Sequence, residues 1–146
     1  MKKIGTVLKL FISQHGLPNR VTQQSIHLDR GGVLGDKFYN KNPKRSTLLT
    51  STESYLLAKK HNISIDFGQL GENILIDYNP YHHPVGSQLQ IGETRLEITQ
   101  KCPICNHLSA IDHRLPQLLI HDRGIFVRLV EGGEIHLNDS VYLIRS

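Results

Sequence analysis

The feature that most restricts this chain is period-two alternation interrupted by two-residue turns. Residues 87–99, SQLQIGETRLEIT, place Leu89, Ile91, Leu96 and Ile98 on one alternation, with Gly92-Glu93 between the halves. Successive strand side chains point to opposite faces, so this pattern predicts one buried face. A Gly-X pair suits a tight hairpin turn. Residues 124–144, GIFVRLVEGGEIHLNDSVYLI, repeat the design, with turns expected at Gly132-Gly133 and Asn138-Asp139. Further strands are expected over residues 4–13, 46–51 and 73–77, which are β-branched or apolar. Two helices are expected. One covers 51–61, where Thr50 and Glu53 have the spacing of a capping box. The other covers 114–122, where apolar residues recur at helical spacing. Many short strands with turn signals and few helices predict a mainly β (α+β) architecture built on a β-barrel.

Composition narrows the function classes. The chain has 146 residues, a length that suits one domain over 1–146. No run approaches the ~20 apolar residues of a membrane span. The N-terminal MKKIGTVLKLFISQHG begins like a signal peptide, but Lys9 interrupts its apolar stretch, so it reads as a first strand. The expected location is the cytoplasm. The formal net charge is +4 with nine histidines neutral. That mild excess fits a small anionic ligand. The basic residues form no dense run with interleaved aromatics, which argues against a dedicated nucleic-acid binder.

Both cysteines fall in residues 99–108, TQKCPICNHL. One close pair is no disulfide framework. Cys102 and Cys105 have a zinc-ligand spacing, with His107 near, but no second CxxC supplies the remaining ligands. A thioredoxin-type motif belongs near a βαβ pattern, whereas these surroundings read as strands. A third chemistry is a single working thiolate, either a soft metal ligand or a sulfur-carrying nucleophile. Such a thiolate needs nearby positive charge, and Lys101 is a candidate. Buried apolar filler is the bland alternative.

Other stretches add to this. Residues 31–54 hold a Gly35-Asp36-Lys37 turn, a basic stretch with Arg45, then a strand and a capped helix. Residues 68–77 hold Gly71-Glu72-Asn73 opening a strand. The hairpin of 85–99 leads into the cysteines, and a Gly-Gly hairpin closes the chain. In this order the segments resemble the MOSC domain, named for the C-terminal part of molybdenum-cofactor sulfurases. The resemblance covers residues 30 to 144. Cys105 matches the family cysteine, because Leu108 follows at the expected spacing, and Cys102 is then an extra. Arg45 matches the arginine before the early strand, and Asn73 the asparagine that opens the middle strand. Phe38 stands where many relatives carry histidine, Ile104 separates Pro103 from Cys105, and Ser87 stands where Asp is common.

The resemblance implies a β-barrel-like domain with Cys105 at a pocket, its thiolate ligating the molybdenum of a pterin cofactor (molybdopterin). It implies a reductase of N-hydroxylated small molecules. The sequence holds no flavin or iron–sulfur motif, so the electrons of such a reductase are expected from a separate protein. The alternative the resemblance carries is a sulfur carrier with a persulfide on Cys105. Pyridoxal-phosphate binding also occurs among relatives of the domain. Molybdopterin is anionic, and Lys37, Arg45 and Lys101 lie in segments that the resemblance places near the pocket. Arg suits bidentate phosphate contact. Asn73 can donate and accept toward a pterin edge, and Glu72 joins it as a candidate cofactor contact. His107 could tune the thiolate or move protons.

Overall fold

Leu89, Ile91, Leu96 and Ile98 are all essentially inaccessible to solvent, as their alternation requires. They belong to β7 (Gln88–Ile91) and β8 (Thr94–Lys101), paired antiparallel through Ile91 and Thr94. Gly92 turns that hairpin at φ +59°, the positive φ that a Gly-first hairpin turn uses. A Cβ there would stand 2.5 Å from Asp139 Oδ2, so a side chain at this position would have to displace that carboxylate. The structure is a computed structural model, and it describes residues 1–104 and 106–145.

The other strands are β1 (Lys3–Ile12), β2 (Val21–Gln23), β3 (Ser25–Asp29), β4 (Gly32–Val33), β5 (Thr47–Ser51), β6 (Ile74–Ile76), β9 (Ile125–Glu131), β10 (Glu134–His136) and β11 (Ser140–Arg145). The helices are α1 (Thr52–Lys60), α2 (Asn106–Ile111) and α3 (Leu115–Leu118). Strands run in the order β11-β7-β8-β9-β5-β6-β1, and β11 pairs back onto β1, so these strands close into a barrel. Closure removes the open sheet edges. β2 extends β1 outside the ring, and β10-β3-β4 form a second small sheet. The barrel expected from the sequence is therefore present. Among the described residues no helix is long and apolar enough to cross a membrane.

Alternation also divides the core in two. Ile74 and Ile76 of β6 point into the barrel with Leu49, Val127 and Ile125. Leu75, between them, points outward into a second cluster with Tyr55, Ala58, Leu70, Leu108, Leu115 and Leu119. That outer cluster seats all three helices on the barrel wall.

Five local expectations are corrected. Glu134–His136 does not fold back on β9 at Gly132-Gly133. It crosses to β3, with Ile135 opposite Ile26, while β9 pairs with β8 and β5. Asn138-Asp139 likewise joins strands of different sheets, because β11 pairs with β1 and β7. These turns carry the signals of a hairpin, but the partner of a strand is chosen by tertiary packing. The cap of α1 is Ser51, whose side chain accepts from Glu53 N at 3.1 Å. Thr50 is drawn elsewhere, its hydroxyl donating to Glu72 Oε2 at 2.7 Å. The helix expected over 114–122 is one turn, Leu115–Leu118, and α2 forms where the cysteine surroundings read as strand.

Candidate functional site

Outward-facing positions line a cleft of about 910 Å³ against the barrel wall. Leu49, Ile74 and Ile125 face the barrel core, so their neighbours Leu48, Asn73 and Phe126 face outward, and all three line the cleft. The remaining walls come from the ends of β1 and β8, the segments 18–20, 37–46 and 66–71, and α2. A cleft of this size is in the range that holds a small-molecule ligand or cofactor.

Asp36 organises the near wall. Its carboxylate accepts from Ser13 N at 2.6 Å, Phe38 N at 3.1 Å and Asn73 Nδ2 at 3.3 Å. Lys37 N donates to Ser13 O at 2.7 Å, so the Gly-Asp-basic turn is clamped to the end of β1. That clamp sends the Lys37 and Phe38 side chains to the cleft, with Lys37 Nζ 5.1 Å from the Phe38 ring centre. Farther along, Thr99 Oγ1 donates to Lys44 O at 2.7 Å and ties the same segment to β8. Arg45 then lies over Phe126, 5.6 Å from its ring centre.

Asn73 has a bracing role. Its Nδ2 donates to Phe11 O at 3.2 Å and to Asp36, and its Oδ1 accepts from Leu48 N at 3.1 Å. Both amide hydrogens are used inside the protein, tying β1, β5 and the 36–38 turn together. Glu72 is fully buried behind the cleft and is not among its lining residues. Its Oε2 accepts from Thr50 and from the Tyr55 hydroxyl, while Oε1 has no hydrogen-bond partner among the described residues. Gly71 beside it adopts φ +90° with open space around it, so it serves the backbone turn.

On the cysteine side, Cys102 N donates to Gly124 O at 2.9 Å, and Cys102 lines the cleft. Lys101 is exposed at the end of β8 and is not a lining residue. Cys105 lies outside the described residues. Its neighbour His107 lies on α2, with Nε2 donating to Gln69 O at 2.7 Å, and Leu108 is wholly buried in the outer core. Among the described residues no three of His, Cys, Asp and Glu cluster as a metal site.

The cleft's charge is the clearest property that the sequence did not localise. Among the described residues Arg20, Lys37, Lys41, Arg45 and Arg123 line it, against one lining carboxylate, Asp66. Sequence reading found Lys37 and Arg45 but missed Arg20, Lys41 and Arg123, which fall in three separate segments. Arg123 is only 5% exposed, and its Nε and Nη1 have no hydrogen-bond partner among the described residues. Arg20 is mostly buried, with Nη1 3.5 Å from Asp36 Oδ1 and donating to Glu72 O at 3.3 Å. Burial holds its affinity for a proton below the usual arginine value, opposed by Asp36 and Glu72 and reinforced by the Arg123 charge. A molybdenum pterin is an anion with a planar ring system and a metal that accepts thiolate. Orphaned guanidinium atoms, three phenylalanine rings at the walls and a thiol-bearing segment fit it.

Known structures share this architecture. The YuaD protein from Bacillus subtilis superposes with a TM-score of 0.79 over 94% of this chain and 93% of its own, at 15% identity. YiiM from Escherichia coli gives 0.71 over 97% of this chain and 70% of its own, at 16% identity. YiiM from Geobacillus stearothermophilus gives 0.69 over 99% and 75%, at 12% identity. No curated protein matches the chain at a significant level. The model of the MOSC domain matches residues 36–142, from the aspartate that organises the cleft wall to the last barrel strand, and the chain belongs to the MOSC domain family.

Proposed function

We propose that this MOSC domain binds a molybdenum pterin cofactor in the cationic cleft and reduces N-hydroxylated small molecules there. The Cys105 thiolate is the protein ligand of the metal. The family is associated with molybdenum-cofactor binding. The observation that carries the reading for this chain is buried Arg123, its Nε and Nη1 unpartnered among the described residues, in a cleft with four further cations. A charge so placed costs several kcal/mol unless something anionic joins it.

When bound, the cofactor supplies two-electron redox chemistry. The chain supplies binding, orientation and exclusion of water. Lys37 and Arg45 at the cleft wall offset the ligand's negative charge. Phe38, Phe67 and Phe126 offer ring faces to a planar group. Leu108 and the His107–Gln69 bond pin the helix that follows Cys105. Cleavage of one N–O bond takes up two electrons and two protons and releases water. The electrons come from a separate electron-transfer protein.

Cys102 in the cleft favours one second reading, a sulfur carrier in which Cys105 holds a persulfide that Cys102 resolves. One experiment separates the two. Wild type and Cys105→Ser are purified without air from cells that make the pterin cofactor, and molybdenum is measured. Near-stoichiometric metal in wild type, lost in the variant, is the expected result. A variant that retains the metal overturns the assignment of Cys105. Metal-free wild type that gains sulfur from a cysteine desulfurase would establish the carrier instead.

A further inference from the structure

We infer that Arg123 and Arg20 together form the seat for a doubly charged tetrahedral oxyanion, the phosphate-ester end of the ligand that enters the cleft. The inference rests on the cleft being a ligand site and assigns a particular group to particular residues. Lys37 and Arg45 then contribute charge at the walls, without holding the phosphate themselves.

Three observations converge on this pair. First, Arg123 is 5% exposed, with Nε and Nη1 unpartnered among the described residues, yet it lines the cleft. Second, the protein's own carboxylate does not complete it. Glu72, whose backbone carbonyl accepts from Arg20, is buried, but its Oε2 is engaged by Thr50 and Tyr55, and its Oε1 is unpartnered and forms no ion pair with Arg123 among the described residues. Third, the fold brings a like charge close. Arg20 and Arg123 line the same cleft although they are far apart in sequence. Arg20 uses Nη1 alone for Asp36 and the Glu72 carbonyl, which leaves the rest of its fork without a hydrogen bond among the described residues.

Two guanidinium groups lining one cleft repel, and among the described residues only Arg20 has a carboxylate partner, Asp36. Each is a planar fork that can give two parallel hydrogen bonds to oxygens. A pair of forks matches an anion with two charges and at least three oxygens. A monoanionic carboxylate has too few oxygens and too little charge to serve both. Phosphate monoesters meet both conditions.

The test uses protein from cells unable to make the pterin cofactor, with inorganic phosphate as the probe, titrated calorimetrically at low ionic strength. Saturable 1:1 binding is expected for wild type. Arg123→Lys and Arg20→Lys should each weaken it at least tenfold, because an ammonium cannot reproduce the fork. Lys60→Met, exposed on α1 and outside the cleft, should leave it within twofold. Lysine keeps the charge, so either variant can report if the other fails to fold. Absence of saturable binding by wild type, or unchanged affinity in both arginine variants, overturns the inference. Binding lost in cofactor-loaded protein assigns the seat to the cofactor's phosphate. Binding kept in loaded protein assigns it to a phosphorylated substrate. Phosphate bound through these arginines in a protein that never takes up molybdenum would sink the proposed function and leave the seat intact.

Discussion

His107 Nε2 donates to the backbone carbonyl of Gln69 at 2.7 Å, joining α2 to the 66–71 segment across one side of the cleft. The two residues are 38 positions apart. The bond therefore crosslinks the helix after Cys105 to a wall of the cleft. His107→Ala removes the donor without touching the barrel core. A neutral hydrogen bond is worth about 1 kcal/mol, which for a chain of this size is about 2–4 °C in Tm. Because His107 is exposed, the loss should fall at or below that range. The sharper readout is hydrogen exchange. Amides of residues 68–71 and 107–111 should exchange faster while those of β7 and β8 stay unchanged. Unaltered protection at 68–71 would show that the crosslink has no mechanical role.

Asn73 offers a stronger perturbation by one atom. Its amide nitrogen faces Phe11 O and Asp36 Oδ1, two acceptors, from a site that is 1% exposed. Asn73→Asp puts a carboxylate where both hydrogens were needed, beside a carboxylate already present. Two lost hydrogen bonds and a buried like-charge contact should cost about 3–5 kcal/mol in urea unfolding. A loss under 1 kcal/mol would mean that Asn73 is free to face ligand, as its place in the family pattern first suggested.

Tyr55 and Tyr81 are expected to limit stability at alkaline pH. Both phenols are held above the usual tyrosine pKa, chiefly by burial. The Glu72 carboxylate adds to this at Tyr55, which donates to it, and acts through space at Tyr81. A raised pKa means that the fold favours the protonated form. The resulting stabilisation is complete below pH ~10, the unfolded tyrosine value, and is lost as pH rises above it. Each group should lower unfolding free energy by about 1.4 kcal/mol per pH unit there. Phenolate absorbance of these two residues should appear only together with unfolding, and Tyr55→Phe should remove one group's share of the slope. Ionisation of every tyrosine near pH 10 in a folded protein would contradict this.

Reading ahead from sequence succeeded where the determinant was local and periodic. Leu89, Ile91, Leu96 and Ile98 share a face because strand geometry allows nothing else, and Gly92 turns the hairpin because few other residues fit a positive φ. It failed where two segments competed for one partner. Thr50 has the spacing of a helix cap but bonds to Glu72, which only the packed barrel brings near. Glu134–His136 follows a turn signal yet pairs with β3, because Ile135 enters the barrel core beside Ile26.

The sequence by itself determined the strand pattern, the mainly β architecture and the family, because alternation, turn residues and ordered motifs are properties of neighbours along the chain. Tertiary structure decided the site. Arg20, Lys37, Arg45 and Arg123 look like scattered surface charge until closure of β1 onto β11 and the clamp at Asp36 bring them around one cleft. Burial then determines what each becomes. The same guanidinium that would be solvated on an exposed loop is, at Arg123, buried with Nε and Nη1 unpartnered among the described residues. The Asn73 amide, which lines the cleft, also braces its wall. Those outcomes depend on distance and solvent access between residues remote in sequence, and only the fold sets those.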